Sequence, residues 1–154
     1  MMKKEKVLTI QSEFIRADIS NKGAVVKDLY DVEIRREYTK KLDGQTFFPI
    51  VGKLREDYYL IGNKRYSLTP DGFASNKFFT VTSSQKDSVS FQLESDEQTL
   101  KVFPYEFQLD ITYRVYGPKL TVTFEVNNRS RREMLFSMGS SIPFCLPLGA
   151  ERSG

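Results

Sequence analysis

Residues 47–74 read FFPIVGKLREDYYLIGNKRYSLTPDGFA, and they carry the clearest signals of the fold. The apolar run at their start breaks at Gly52, and two short strand-like segments follow, Tyr58–Ile61 and 64–68. Between these segments stands Gly62-Asn63, a dipeptide that supplies the positive φ angles of a primed β-turn. The stretch therefore predicts a β-hairpin with a two-residue turn.

Strand patterns extend over most of the remaining chain. Alternating or continuous apolar segments, each ended by turn residues, lie at 7–10, 14–19, 24–30, 77–83, 88–94, 106–116, 119–126 and 133–138. The segment 33–38 is largely charged and suits an edge or solvent-facing strand. Residues 39–45 are polar and predict a loop. Only 95–103 has a helical pattern, with Ser95 or Asp96 as its cap and Pro104 beyond its end. Roughly ten short strands with almost no helix predict an all-β fold, an antiparallel β-sandwich.

The size and composition indicate one domain over residues 1–154. A hydrophobic share of 40% with 28% charged residues is typical of a soluble globular protein. No apolar run approaches the ~20 residues of a membrane helix, and no long apolar stretch follows the basic start, so we expect a cytoplasmic protein without membrane contact. The net charge of +3 is small and the basic residues are interspersed with acidic ones, which argues against a nucleic-acid partner.

The chain contains no histidine and a single cysteine, Cys145. An internal disulfide is therefore excluded, and the usual zinc and copper ligands are missing, so we expect no structural metal. Catalysis by Ser-His or Cys-His pairs is excluded as well, and any catalysis must use Asp, Glu, Lys, Tyr or Cys. Cys145 is expected to be a small buried apolar residue.

Aromatic residues near cations and a carboxylate suit sugars, whose apolar faces stack on rings while their hydroxyls need directional partners. Phe73, Lys53 and Asp71 fit this pattern. Each also has a structural interpretation. Phe73 would fill the core, Lys53 would pair with Glu56 or Asp57 in a solvated loop, and Asp71 would bind backbone amides within its turn.

Several strings, in this order, resemble the aldose 1-epimerase family, the galactose mutarotase-like proteins. They are FPIVGKL at 48–54, YLIGNKRYSL at 59–68, GFA at 72–74, LES at 93–95, TLKVFPY at 99–105, LTVTFEVN at 120–127 and FSMG at 136–139. The resemblance extends from about residue 7 to 148. It implies the supersandwich fold of that family and the interconversion of the α and β anomers of a free aldose by an acid and a base, without a cofactor.

The resemblance also assigns roles to three positions, Asp71, Ser141 and Lys53. Asp71 precedes the Gly-Phe-Ala turn where relatives commonly have a histidine, and Ser141 stands at the proton-donating histidine of the family's Gly-x-His-Pro-x-Phe pattern. Lys53 aligns with a substrate-contacting arginine, and Phe73 is predicted to be a second substrate contact. A serine hydroxyl does not ionise near neutral pH, and an ordinary aspartate, with a pKa of ~3.9, is already ionised there.

Members of the family run to roughly twice this length, so the resemblance covers only the N-terminal half of the family fold. The family's carboxylate base lies in the other half. We therefore predict an aldose 1-epimerase family protein that is catalytically impaired or inactive. Two alternatives remain open, a carbohydrate-binding remnant without catalysis and a truncated product without function. A half fold would also leave a sheet edge uncovered, which predicts self-association.

Overall fold

A computed structural model of the chain describes residues 3–39 and 44–144, and Cys145 lies outside these residues. The strands are β1 (Val7–Gln11), β2 (Ile15–Ser20), β3 (Val25–Asp31), β4 (Arg36–Glu37), β5 (Gln45–Phe47), β6 (Tyr58–Ile61), β7 (Lys64–Ser67), β8 (Thr80–Ser84), β9 (Ser88–Glu94), β10 (Phe107–Tyr116), β11 (Lys119–Asn128) and β12 (Gly139–Ser141). One α-helix, α1 (Glu97–Val102), and two 3₁₀ turns, Arg55–Asp57 and Ala74–Asn76, complete the described elements.

Two four-stranded antiparallel sheets form the body of the fold, in the orders β1-β2-β3-β4 and β11-β10-β9-β8. Strand β10 alternates buried residues with more accessible ones, so one of its faces lies in the core. Buried residues of both sheets, such as Ile19 of β2 and Ile111 of β10, belong to one hydrophobic cluster. The predicted all-β antiparallel sandwich is therefore confirmed.

An aromatic cluster fixes residues 47–74 to this core. The Phe48 ring is fully buried. Its centroid lies 5.1 Å from that of Phe107, 6.0 Å from Phe103 and 6.1 Å from Phe73. Edge and tilted contacts of this kind add to the energy of apolar burial. The loop that follows Phe48 is thus held by side chains from β10 and from the end of α1.

The hairpin and helix predictions are confirmed. Strands β6 and β7 pair antiparallel with Tyr58 opposite Ser67, and Gly62 takes the φ of 59° that the turn requires. Helix α1 begins after Asp96, whose side chain accepts a hydrogen bond from the Thr99 amide. The helix has six residues, and none of the described helices is long and apolar enough to cross a membrane.

The strand prediction for 33–38 is largely wrong. Only Arg36–Glu37 pairs with β3. The Asp31 carboxylate accepts hydrogen bonds from the amides of Glu33 and Ile34, and these bonds fold residues 32–35 into a turn. Of the loop predicted at 39–45, residues 40–43 lie outside the described part, and Gln45 already belongs to β5.

The strand predicted at 133–138 is also wrong. This segment pairs with no described strand. Met134 is buried, while the Ser137 amide donates to the Pro49 carbonyl at 2.9 Å. The chain resumes pairing only at β12, where Gly139 lies opposite Phe47 of β5. Tertiary contacts with the Pro49 loop therefore replace a sheet ladder here.

Candidate functional site

The candidate site is built where the loop after β5 meets the turn at residues 71–74. The Phe48 carbonyl accepts hydrogen bonds from the amides of Phe73 at 3.0 Å and Ala74 at 3.3 Å. In return, the Phe48 amide donates to the Asp71 carbonyl at 3.2 Å. The peptide between Phe48 and Pro49 is cis. These bonds join two segments more than twenty positions apart in sequence and make them one unit.

Asp71 is held by backbone on the partner segment. Its carboxylate Oδ1 accepts a hydrogen bond from the Gly52 amide at 2.7 Å, and its own amide donates to the Gly52 carbonyl at 2.8 Å. Asp71 has a φ of 65°, a left-handed conformation that aspartate tolerates better than most residues. The amide-binding interpretation of Asp71 is therefore what the structure shows, although the bond reaches Gly52 and not an amide within the turn.

Lys53 and Phe73 line one cavity of about 750 Å³. The other residues that line it are Asp57, Ser67, Leu68, Thr69, Pro70 and Val102. The structure thus brings together two of the four residues that the sequence singled out. Asp71 follows Pro70 directly, so its turn forms part of the cavity wall.

Each of these two side chains also has a structural contact. Phe73 is half-buried, and its ring stacks on Phe107 with centroids 6.0 Å apart and an interplanar angle of 27°. The Lys53 Nζ lies 3.6 Å from the Asp57 carboxylate, and the two side chains are 66% and 62% exposed. Exposed pairs of this kind contribute little to stability. Lys53 therefore remains accessible to a ligand at small cost.

Ser141 is not part of this cavity. It is the last residue of β12, lies opposite Gln45 of β5 and is exposed. Gly139, two positions earlier, lies against the side chains of Phe47 and Val51, so β12 runs beside the loop that leads to Gly52. The structure does not bring Ser141 into the lining that Lys53 and Phe73 share.

Helix α1 contributes to the site, which the sequence did not predict. Val102, the last residue of the helix, lines the cavity, and its carbonyl accepts a hydrogen bond from the Tyr59 hydroxyl at 2.6 Å. Partial burial raises the pKa of Tyr59 well above its usual range, so this hydroxyl stays protonated as a donor. No local sequence signal links Val102 to residues some forty positions earlier. Thr69-Pro70 could have been recognised as turn residues.

Within the described ranges, no three carboxylate, thiol or imidazole groups converge to hold a metal ion. The polar groups of the cavity are instead hydroxyls, an ammonium and a carboxylate, from Ser67, Thr69, Lys53 and Asp57. Such groups bind hydroxyl-rich or anionic organic ligands.

Residues 6–148 match the family model of aldose 1-epimerase. The chain belongs to the aldose 1-epimerase family. Among solved structures it is similar to a galactose mutarotase related enzyme from Lactobacillus acidophilus, with 32% identity, a TM-score of 0.90, and coverage of 92% of this chain and 50% of that chain. A galactose mutarotase-like protein from Lactobacillus casei shows 29% identity and a TM-score of 0.89, over 95% of this chain and 52% of that chain.

A curated relative, the plasmid-encoded protein LacX of Lactococcus lactis subsp. lactis, is 23% identical over 92% of this chain and 51% of its own length. The present chain thus spans about half the length of the curated relatives it matches. The family resemblance and the fold expected from it are confirmed. The roles of Lys53, Asp71, Phe73 and Ser141 toward a sugar stay predictions.

Proposed function

We propose that this chain binds a free aldose in the cavity lined by Lys53 and Phe73, without accelerating the interconversion of its anomers by itself. The observation that carries the proposal is the joint position of these two residues on one cavity. An aromatic ring offers an apolar surface to the C–H face of a sugar, while an ammonium and hydroxyls suit its hydroxyl groups. Family membership supports a sugar as the ligand class.

The groups that are present support the proposed lack of catalysis. Opening a sugar ring requires an acid and a base near the reacting oxygens, and their loss costs about 10²–10⁴-fold in rate. The sequence has no histidine. The Asp71 carboxylate already accepts the Gly52 amide, and Ser141 carries a hydroxyl that does not titrate near neutral pH.

Sugar binding is tested by titrating the labelled chain with D-galactose and D-glucose and recording amide chemical shifts. We expect saturable shifts at 53, 67–70 and 73. Lys53→Gln should weaken binding several-fold, while Lys64→Gln, on the neighbouring β7, should leave it unchanged. Equal effects of the two variants, or no saturable shifts, would reject the cavity as the site.

Catalysis is tested by polarimetry of freshly dissolved α-D-glucose and α-D-galactose. We expect the same rate of optical change with the chain as with buffer. A rate that rises in proportion to the concentration of the chain would show mutarotase activity and overturn the inactive assignment. That result would leave the binding site intact as a proposal, because the titration reports on it separately.

A further inference from the structure

The outer edge of the second sheet is long and regular. Strand β11 has ten residues, all paired with β10 in an unbroken register from Phe107 opposite Asn128 to Tyr116 opposite Lys119. In the described part of the chain, no strand pairs with its other side. Proteins protect sheet edges with short strands, bulges or prolines. The other edge of this sheet, β8, has five residues and a register shift between Val81 and Ser83, whereas β11 has neither protection.

The hydrogen-bonding direction of each β11 residue follows from the turn. Tyr116 and Lys119 flank a two-residue turn, so they form the hydrogen-bonded pair that closes the hairpin. Every second residue from Lys119 then directs its amide and carbonyl toward β10, and the residues between them direct theirs outward. The outward set is Leu120, Val122, Phe124 and Val126. Their half-buried side chains also pack against the hydrophobic core.

The free edge therefore combines unpaired backbone groups with an apolar row that is only half covered. We propose that a second copy of this chain covers it, with the two β11 strands paired antiparallel about a two-fold axis at Val122. The two four-stranded sheets would then form one continuous sheet. Such pairing supplies backbone hydrogen bonds and extends the apolar row across the axis.

The charges on β11 select this register. Pairing about Val122 places Lys119 of each copy opposite Glu125 of the other, and Thr121 opposite Thr123. An axis at Thr123 preserves the backbone hydrogen bonds equally well, but it places Glu125 opposite Thr121 and Lys119 opposite Asn127. Opposite charges facing each other across a strand pair are favourable. Only the axis at Val122 produces this charge match, and it does so twice.

Glu125 also has no cationic partner among the described residues. Across the β10 pairing it faces Asp110, and like charges in this position are unfavourable. Asp110 accepts hydrogen bonds from the side-chain amides of Gln92 and Gln108. Within the described residues neither Glu125 nor Lys119 forms an ion pair. The lysine of a second copy supplies the missing positive charge beside Glu125.

The assembly is tested on the full 154-residue chain by size exclusion with light scattering over a range of concentrations. We expect a dimer that dissociates on dilution. Glu125→Lys should raise the dissociation constant about tenfold or more, because it places lysine opposite lysine. Lys119→Glu should act similarly, and the double variant should recover dimerisation. Lys101→Glu, an exposed charge change on α1, should have no effect.

The register is tested by disulfide trapping in a Cys145→Ser background. A mixture of Thr121→Cys and Thr123→Cys chains should form a cross-linked dimer under mild oxidation, and each variant alone should not. Cross-linking of Thr123→Cys with itself would indicate the axis at Thr123 and overturn the proposed pairing. A wild-type chain that is monomeric at all concentrations would overturn it too. Neither result depends on sugar binding.

Discussion

Gly72 lies directly against the carbonyl of Phe48, so that a Cβ on Gly72 would collide with the Phe48 oxygen and stand 2.8 Å from the Pro49 nitrogen. Both neighbours are backbone atoms of a loop whose aromatic residue is fully buried, so neither can move aside at small cost. Gly72 also has a φ of 74°, in the left-handed region. This contact joins the two segments that form the candidate site.

Gly72→Ala should lower the free energy of unfolding by about 2–5 kcal/mol, since overpacking and left-handed strain add at this position. Gly62→Ala is the matched control. It has a similar φ of 59° but no atom within 4 Å of the added Cβ, so it should cost only about 1–2 kcal/mol. Urea unfolding of both variants measures the difference. Equal losses would show that the Phe48 contact contributes nothing.

Asp71→Asn should preserve most of the stability. Asparagine keeps an oxygen for the Gly52 amide and tolerates the left-handed conformation. Asp71→Ala loses both and should lower the free energy of unfolding by about 2 kcal/mol. Denaturant unfolding at neutral pH compares the two variants. If both lose equal stability, the negative charge, and not the hydrogen bond, is what the fold requires.

Asp96 should make stability depend on pH in the acid range. Partial burial alone would raise its pKa, but the Thr99 amide and the Lys77 ammonium outweigh this effect and hold the pKa below its ordinary value of 3.8. A carboxyl with a lowered pKa in the folded state contributes stability above its unfolded pKa, and this contribution disappears as the pH falls through the folded pKa.

The variant Asp96→Asn isolates that charge. Asparagine still caps α1, so at pH 7 the variant should lose at most about 1 kcal/mol. Its deficit relative to wild type should shrink as the pH falls below 3.8 and vanish once the pH lies below the lowered pKa of the folded state. Asp96→Ala loses the cap as well as the charge, so its deficit should be larger at pH 7 and should fall only to about 1 kcal/mol, the loss of the cap, at low pH. Thermal unfolding between pH 2 and 7 records these curves; a pH-independent deficit in Asp96→Asn would contradict the prediction.

Tyr113→Phe should be clearly destabilising. The buried Tyr113 hydroxyl donates to the Ala24 carbonyl at 2.6 Å, and burial raises the pKa of Tyr113 above its usual range. Removing the hydroxyl leaves a buried carbonyl without that donor, at about 1–3 kcal/mol. Tyr116→Phe, at a side chain that is 81% exposed, should change stability by less than about 0.5 kcal/mol. Indistinguishable unfolding curves would show that water replaces the donor.

Local chemistry determined the parts of the fold that the sequence predicted well. The β6–β7 hairpin follows from Gly62 in a two-residue turn, and α1 follows from Asp96 before a helical run. The strands predicted at 33–38, a largely charged segment, and at 133–138, an apolar one, were wrong because an Asp31 turn and the Pro49 contact decide their conformation.

The all-β fold, the family and the candidates Lys53, Asp71, Phe73 and Ser141 could be inferred from the amino-acid sequence. These follow from alternation, turn residues and short strings, which are all local. Only the tertiary structure decided that Lys53 and Phe73 share a cavity with Val102, that the Asp71 carboxylate binds the Gly52 amide, and that Ser141 lies apart on β12. Those relations depend on how the β5 loop, the turn at 71–74 and α1 pack around Phe48, and such long-range packing has no periodic signature in one sequence.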